Sequence, residues 1–146
     1  KRIGINNTIF NVYKFRTMKL NLGDIPTHLM NKPGKQLSIL GPFLRKFSID
    51  EIPQLVNIIK GDMLFVGPRP ALYNQIDLIS LRTNKGINSI KPGVTGWAQI
   101  NGRDELSINE KVAFDEFYLK NKSIFLDIKI ILSTIRQIII PKGVLH

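Results

Sequence analysis

The 146-residue sequence contains no cysteine, which excludes disulfides and thiolate metal sites and fits a reducing compartment without requiring one. Histidine is nearly as scarce. His28 and His146 lie far apart in the chain, so neither a clustered zinc site nor a Ser-His-Asp triad is supported. There is no G-x-x-x-x-G-K-[ST] loop and no G-x-G-x-x-G turn, which argues against a P-loop nucleotidase and a dinucleotide fold. The sequence starts at Lys1 without an initiator methionine or a signal-like leader, and the expectation is the body of a longer protein. No internal repeat, low-complexity tract or linker is visible.

What is present is an ordinary globular balance with an unusual charge. A hydrophobic fraction of 43% and a charged fraction of 22% suit one folded domain over residues 1–146. The formal net charge of +10 attracts polyanions: nucleic acid, anionic lipid headgroups or a phosphate-rich substrate. Charge does not choose among them.

Residues 9–17 (IFNVYKFRT) alternate apolar and polar positions and predict a strand. Residues 18–35, with Gly23, Pro26, Pro33 and Gly34, predict mostly loop. A helix is expected next, with Asp50 as N-cap and Pro53 in its first turn, where a missing N–H is harmless. Ser48 and Glu51 offer a competing capping-box spacing that sets Pro53 deeper. Ile52, Leu55, Val56 and Ile59 line one face of this helix, and Gly61 is its natural stop. Residues 63–66 predict a short strand entering Gly67-Pro68-Arg69-Pro70, and residues 71–83 a helix. Turns are expected at Lys91-Pro92-Gly93 and Asn101-Gly102. Ser107 and Glu110 form a capping-box spacing for a helix running to about Asn121. Residues 123–140 are the most apolar stretch, but Asp127, Lys129 and Arg136 interrupt it, so a core helix or one lying on a membrane surface fits better than a span.

The chemistry concentrates at Asp50 and Glu51. Neighbours on a helix point about 100° apart, so the two carboxylates approach a ligand from different sides. The helix dipole is expected to keep both ionised. An ionised aspartate can attack phosphorus, and a second carboxylate can hold Mg²⁺. Capping alone also explains acidic residues at a helix start. Arg69, held between two prolines, is preorganised for bidentate phosphate contact, or is a surface arginine in a rigid turn. Arg45 lies five residues before Asp50. A carboxylate about 4 Å from a pyrophosphate of charge about −2 meets roughly 8 kcal/mol of repulsion at an effective dielectric near 20. That is on the order of six powers of ten in rate, so such an attack needs cations beside it.

Several blocks in order carry a family resemblance: Tyr13-Lys14-Phe15-Arg16-Thr17-Met18; Asp50-Glu51-Ile52-Pro53-Gln54-Leu55; Lys60-Gly61-Asp62-Met63 with Gly67-Pro68-Arg69-Pro70; and residues 91–103 (KPGVTGWAQINGR). Asp115, Tyr118-Leu119 and residues 121–129 continue the likeness. The chain resembles the bacterial sugar transferases, the monotopic phosphoglycosyl transferases. The resemblance implies an α/β fold, a single compact domain of amphipathic helices around a small sheet, at a membrane interface. It implies transfer of a sugar 1-phosphate from a UDP-sugar to polyprenyl (undecaprenyl) phosphate with release of UMP. Asp50 would carry the phosphosugar covalently, Glu51 would ligate Mg²⁺, and Arg45 and Arg69 would hold phosphates. Lys14 and Arg16 would line the same basic site, or form a solvated strand edge.

Gln99, Arg103 and Asp115 are weaker candidates for substrate contact. The Gly96-Trp97-Ala98-Gln99 block also reads as a structural turn with Trp97 in the core, and Asp115 as a salt-bridged helix residue. By resemblance the setting is the cytoplasmic face of the bacterial plasma membrane, at an anionic surface, in exopolysaccharide, lipopolysaccharide or glycoprotein assembly. Family members carry a hydrophobic segment ahead of the first block, and this sequence starts after it. A homo-oligomer is left open, and nucleic acid is not expected as a partner. The competing readings are a basic nucleic-acid-binding module, which leaves Asp50-Glu51 and the paired prolines unexplained, and an inactive membrane-surface scaffold.

Overall fold

Glycines let two backbones meet at the centre of the fold. In the computed structural model, which describes residues 1–18, 38–102 and 105–139, a Cβ on Gly96 would collide with the carbonyl oxygen of Gly67, and one on Gly67 would lie 2.6 Å from the Lys91 carbonyl oxygen. This contact joins strands β3 (Leu64–Val66) and β4 (Gly93–Thr95), which pair in parallel with Leu64 opposite Gly93 and Val66 opposite Thr95. A parallel pair needs a crossover, here supplied by a helix between the strands, α3 (Ile76–Asn84). A separate antiparallel pair, β1 (Arg2–Ile3) with β2 (Ile9–Phe10), sits at the N-terminus. The remaining helices are α1 (Gly41–Lys46), α2 (Gln54–Ile59), α4 (Trp97–Ile100), α5 (Ile108–Asn121) and α6 (Ile124–Ile139). The architecture is α/β, as expected, with small sheets framed by helices.

Two small apolar clusters hold it together. Ala71, Leu78, Ile87 and Val112 pack α3 against α5, while Val66, Tyr118 and Ile130 join β3, α5 and α6. The Tyr118 hydroxyl donates to Asp127 Oδ1 at 2.7 Å, so the buried phenol is satisfied. The capping box predicted for α5 is present: Ser107 Oγ accepts from the Glu110 N–H, and the Glu110 carboxylate accepts from the Ser107 N–H. Trp97, expected in the core, is only partly buried and stacks on Phe117 at 5.2 Å.

Besides the helix expected over residues 71–83, which forms only over Ile76–Asn84, three expectations change. The strand over residues 9–17 pairs only at Ile9–Phe10, and residues 11–17 are extended without a ladder. Asn57 replaces the missing partner strand. Its Oδ1 accepts from Tyr13 N–H at 3.0 Å, and its Nδ2 donates to the Asn11 carbonyl at 2.8 Å and to Asp62 Oδ2 at 3.1 Å. Second, Asp50 does not cap a helix. Ile49–Glu51 form a 3-10 turn entered through Ser48 in a left-handed conformation (φ 53°), and α2 begins only after Pro53. The Ser48–Glu51 box is not made, because Ser48 has no side-chain cap bond. Gly61, at φ 80°, does end the helix region.

Third, α2 is turned inside out. Its buried residues are Gln54 and Asn57, whereas Ile52, Leu55 and Val56 are exposed and Ile59 is 87% exposed. The apolar face therefore points outward. Helix α6 behaves alike: Ile130 is buried, but Ile124, Phe125, Leu132 and Ile139 are exposed. No helix among the described residues is long and apolar enough to cross a membrane. The expected loop over residues 18–35 lies, apart from Met18, outside the described residues.

Asn57 is 0% exposed, and its amide makes three hydrogen bonds. Asn57→Ala would strand the Tyr13 N–H and the Asn11 carbonyl. The expected loss is about 2–3 kcal/mol of unfolding free energy, read as a lower midpoint in urea. An unchanged midpoint would show that residues 11–15 do not depend on this clamp.

Candidate functional site

Three segments converge where the backbone is least regular. The extended residues 11–17 run past the turn Ile49–Glu51, and Phe15 N–H donates to the Asp50 carbonyl at 3.0 Å. The loop leaving the carboxyl end of β3 brings in Arg69, flanked by Pro68 and Pro70, whose own φ angles are fixed, with Pro70 also disfavouring helical backbone at Arg69. The left-handed Ser48 just ahead of the turn is an uncommon state for a residue other than glycine.

Glu51 is the hub. Its Oε1 lies 2.7 Å from Lys14 Nζ and 3.3 Å from both Nη1 and Nη2 of Arg69. Asp50 is 8% exposed, and its Oδ2 lies 3.9 Å from the same Lys14 ammonium. Arg45 donates from Nε to Thr17 Oγ1 at 3.0 Å, so Thr17, itself buried, anchors it. The charge of Arg45 acts on Asp50. Lys14, Arg45, Asp50, Glu51 and Arg69 are thus brought together. Arg16 is exposed and, among the described residues, takes no part in the ion pairs of the two carboxylates.

Burial decides the electrostatics. It pushes the Asp50 carboxyl above its ordinary value; Lys14 and Arg45 pull it back down, and Glu51 adds to the rise. The expectation that a helix dipole keeps it ionised does not apply, since a three-residue 3-10 turn supplies little dipole. Burial also depresses Lys14, helped by the nearby Arg69 and opposed by Glu51. A carboxylate with little water around it is a poorly stabilised anion, hence a stronger nucleophile once ionised.

Among the described residues no cluster of three or more His, Cys, Asp or Glu could cage a metal ion. The donor set fits Mg²⁺ in the manner of substrate-assisted sites, where one or two carboxylates suffice and phosphates supply the remaining oxygens. Glu51, beside Lys14 and Arg69, is the carboxylate that would serve such a site.

The weaker candidates are placed elsewhere. Asp115 is 1% exposed, and its Oδ2 accepts from Arg82 Nη2 at 2.6 Å and Nε at 3.0 Å, so it stands behind the site and not at its mouth. Burial pushes its carboxyl up against the pull of Arg82. Arg82 Nη1 in turn donates to the Arg69 carbonyl at 2.8 Å, which links Asp115 to the Pro-Arg-Pro loop. Gln99 is buried, donates to the Val94 carbonyl at 3.1 Å, and supports β4. Arg103 lies outside the described residues. Sequence reasoning missed Thr17, Asn57 and Arg82. Only Asn57 left a trace, as a polar position three residues after Gln54 on the side of α2 opposite its apolar stripe.

Comparison with known proteins shows the family of the chain. The family profile described as bacterial sugar transferase matches residues 1–141. The chain is 43% identical over 143 residues to the "Uncharacterized sugar transferase EpsL" of Bacillus subtilis (strain 168), covering 98% of this chain and 69% of that protein. It is 38% identical over 153 residues to the "Undecaprenyl-phosphate glucose phosphotransferase" of Komagataeibacter xylinus, covering 97% of this chain and 29% of the relative. The "UDP-N-acetylgalactosamine-undecaprenyl-phosphate N-acetylgalactosaminephosphotransferase" of Aeromonas hydrophila is 34% identical over 147 residues, covering 97% and 35%. The chain therefore spans about a third of the two longer relatives.

Proposed function

From the premise that the chain belongs to the bacterial sugar transferase family, we propose that it moves a sugar 1-phosphate from a UDP-sugar to a polyprenyl phosphate, releasing UMP. The observation that carries this reading is Asp50, buried beside Lys14 and under the charge of Arg45, next to a glutamate gripped by Lys14 and Arg69.

The chemistry is two displacements at one phosphorus. An Asp50 carboxylate oxygen attacks the sugar-bearing phosphorus; the bond from that phosphorus to the oxygen bridging the diphosphate breaks, and UMP departs with its electron pair. A phosphate oxygen of the polyprenyl carrier then attacks the same phosphorus and releases Asp50, leaving a polyprenyl-diphosphate sugar. Arg69 and Lys14 offset the charge of the diphosphate, and Arg45 offsets that of Asp50. Glu51 would hold Mg²⁺, which when bound would supply further charge neutralisation. The outward apolar faces of α2 and α6, with the +10 charge, suit attachment to an anionic membrane surface, where the lipid acceptor resides. We place that surface at the cytoplasmic face of the bacterial plasma membrane, the side on which UDP-sugars are made.

The direct test omits the acceptor. Protein mixed with a panel of UDP-sugars and Mg²⁺ is expected to gain the mass of one sugar phosphate for one sugar of the panel, and Asp50→Asn is expected to gain none. An adduct that persists in Asp50→Asn would overturn the assignment of the nucleophile.

A further inference from the structure

Two cations of the site, Lys14 and Arg69, are paired with the Glu51 carboxylate. Arg45 is held differently, by the neutral hydroxyl of Thr17, which accepts from its Nε at 3.0 Å. We propose that Thr17 is a positioning residue for the transfer reaction, fixing the Arg45 guanidinium with its charge undiminished and its two terminal nitrogens left for a substrate phosphate. The inference rests on the transfer reading above and adds a residue that itself touches neither the substrate nor the reacting carboxylates.

The chemistry of the anchor supports it. Among the described residues, Nη1 and Nη2 of Arg45 make no hydrogen bond, and a planar guanidinium offers phosphate oxygens a pair of such N–H groups. A carboxylate at Nε would cancel much of the charge that a diphosphate needs beside it. A hydroxyl fixes the same atom without doing so. The charge of Arg45 is felt at Asp50, so it acts where the transfer reading puts the reacting phosphorus.

Thr17 can serve as a fixed point because it is itself tied down. It is 5% exposed, and its carbonyl accepts from the Ser38 N–H at 2.9 Å. Two residues earlier, Phe15 N–H donates to the Asp50 carbonyl at 3.0 Å. Where the chain leaves α1, the Arg45 carbonyl accepts from the Ser48 N–H at 3.1 Å. One extended segment therefore grips the backbone of Asp50 through Phe15 and the side chain of Arg45 through Thr17. It sets the cation relative to the nucleophile before any ligand arrives. A long side chain ordered in advance loses less freedom on binding.

The test is calorimetric titration of UDP with Mg²⁺ into the parent, Thr17→Val, Thr17→Ser, Arg45→Ala and the double variant Thr17→Val, Arg45→Ala. Adduct formation from a UDP-sugar is followed in the same proteins. Valine keeps the bulk and removes the acceptor, so UDP should bind at least about fivefold more weakly and the adduct should form at least about fivefold more slowly. Serine keeps the hydroxyl and should stay within about twofold of the parent. In the Arg45→Ala background, Thr17→Val should change neither quantity by more than about twofold, because the side chain it acts through is gone. A packing role would cost the same in both backgrounds. If Thr17→Val does not fold, Thr17→Ala takes its place in the cycle.

UDP affinity unchanged in Thr17→Val, a serine variant as weak as the valine one, an equal loss in both backgrounds, or no UDP binding by the parent would overturn the positioning role. Any of these results, beside an Asp50 adduct in the parent, would leave the transfer reading standing. Conversely, UDP binding that depends on Thr17 only through Arg45, without any adduct, would sink the transfer chemistry and keep Thr17 as the anchor of a phosphate-binding arginine.

Discussion

Asp50→Asn is expected to abolish sugar-phosphate transfer, by on the order of 10⁴-fold or more, while leaving the protein folded and no less stable at neutral pH. The two halves of that result have one cause. Asp50 is 8% exposed, and burial outweighs the help from Lys14 and Arg45, so its carboxyl is held above the ordinary value. The folded state therefore favours the protonated form. Its contribution to stability is complete below the unfolded carboxyl pKa and is lost as pH rises through the folded pKa. At neutral pH the ionised carboxylate is a burden on the fold, and asparagine, of the same shape without the charge, removes it.

The measurements are turnover and melting temperature of parent and variant across pH. The parent's rate of adduct formation should fall on acidification at a pH above the usual Asp value of about 3.9. The stability gain of the variant should vanish in acid, where Asp50 is protonated anyway. A variant that melts well below the parent at neutral pH would mean that Asp50 serves the fold through its ion contacts, and the nucleophile would need another explanation.

Much of the fold was open to inspection in the sequence because its signals are local. Gly61 stops a helix region through its own backbone freedom, and the Ser107–Glu110 box closes on itself within four residues. Arg69, Asp50 and Glu51 could be picked out because their neighbours are prolines or each other. What sequence reasoning missed depends on partners distant in the chain. Residues 11–17 look like a strand, but their partner is the Asn57 side chain, 44 positions from Tyr13. The stripe of Ile52, Leu55, Val56 and Ile59 is correctly periodic, yet periodicity cannot say which way a stripe faces. Here Gln54 and Asn57 take the buried side, and the stripe faces outward. Arg82 belongs to no motif. Its importance comes from two contacts, one 33 positions away and one 13.

That pair carries the second large effect. Asp115→Ala would leave the Arg82 guanidinium, 11% exposed, without its carboxylate. Breaking a buried pair from one side costs about 3–5 kcal/mol, a large share of the roughly 5–15 kcal/mol that holds a domain folded. Asp115→Ala should therefore unfold at a much lower urea concentration and lose most activity, which alone would not separate scaffold from site. The double variant Arg82→Met, Asp115→Leu does. Replacing both charges with apolar groups of similar bulk can be near neutral for stability. It nevertheless removes the donor that holds the Arg69 carbonyl at 2.8 Å. If Arg82 positions the Pro-Arg-Pro loop, the double variant should regain most of the lost stability while adduct formation stays at least about tenfold slow, a barrier increase of about 1.4 kcal/mol. A double variant that is both stable and fully active would show that the turn between Pro68 and Pro70 holds Arg69 in place unaided, and that the buried pair serves only the packing of α3 on α5.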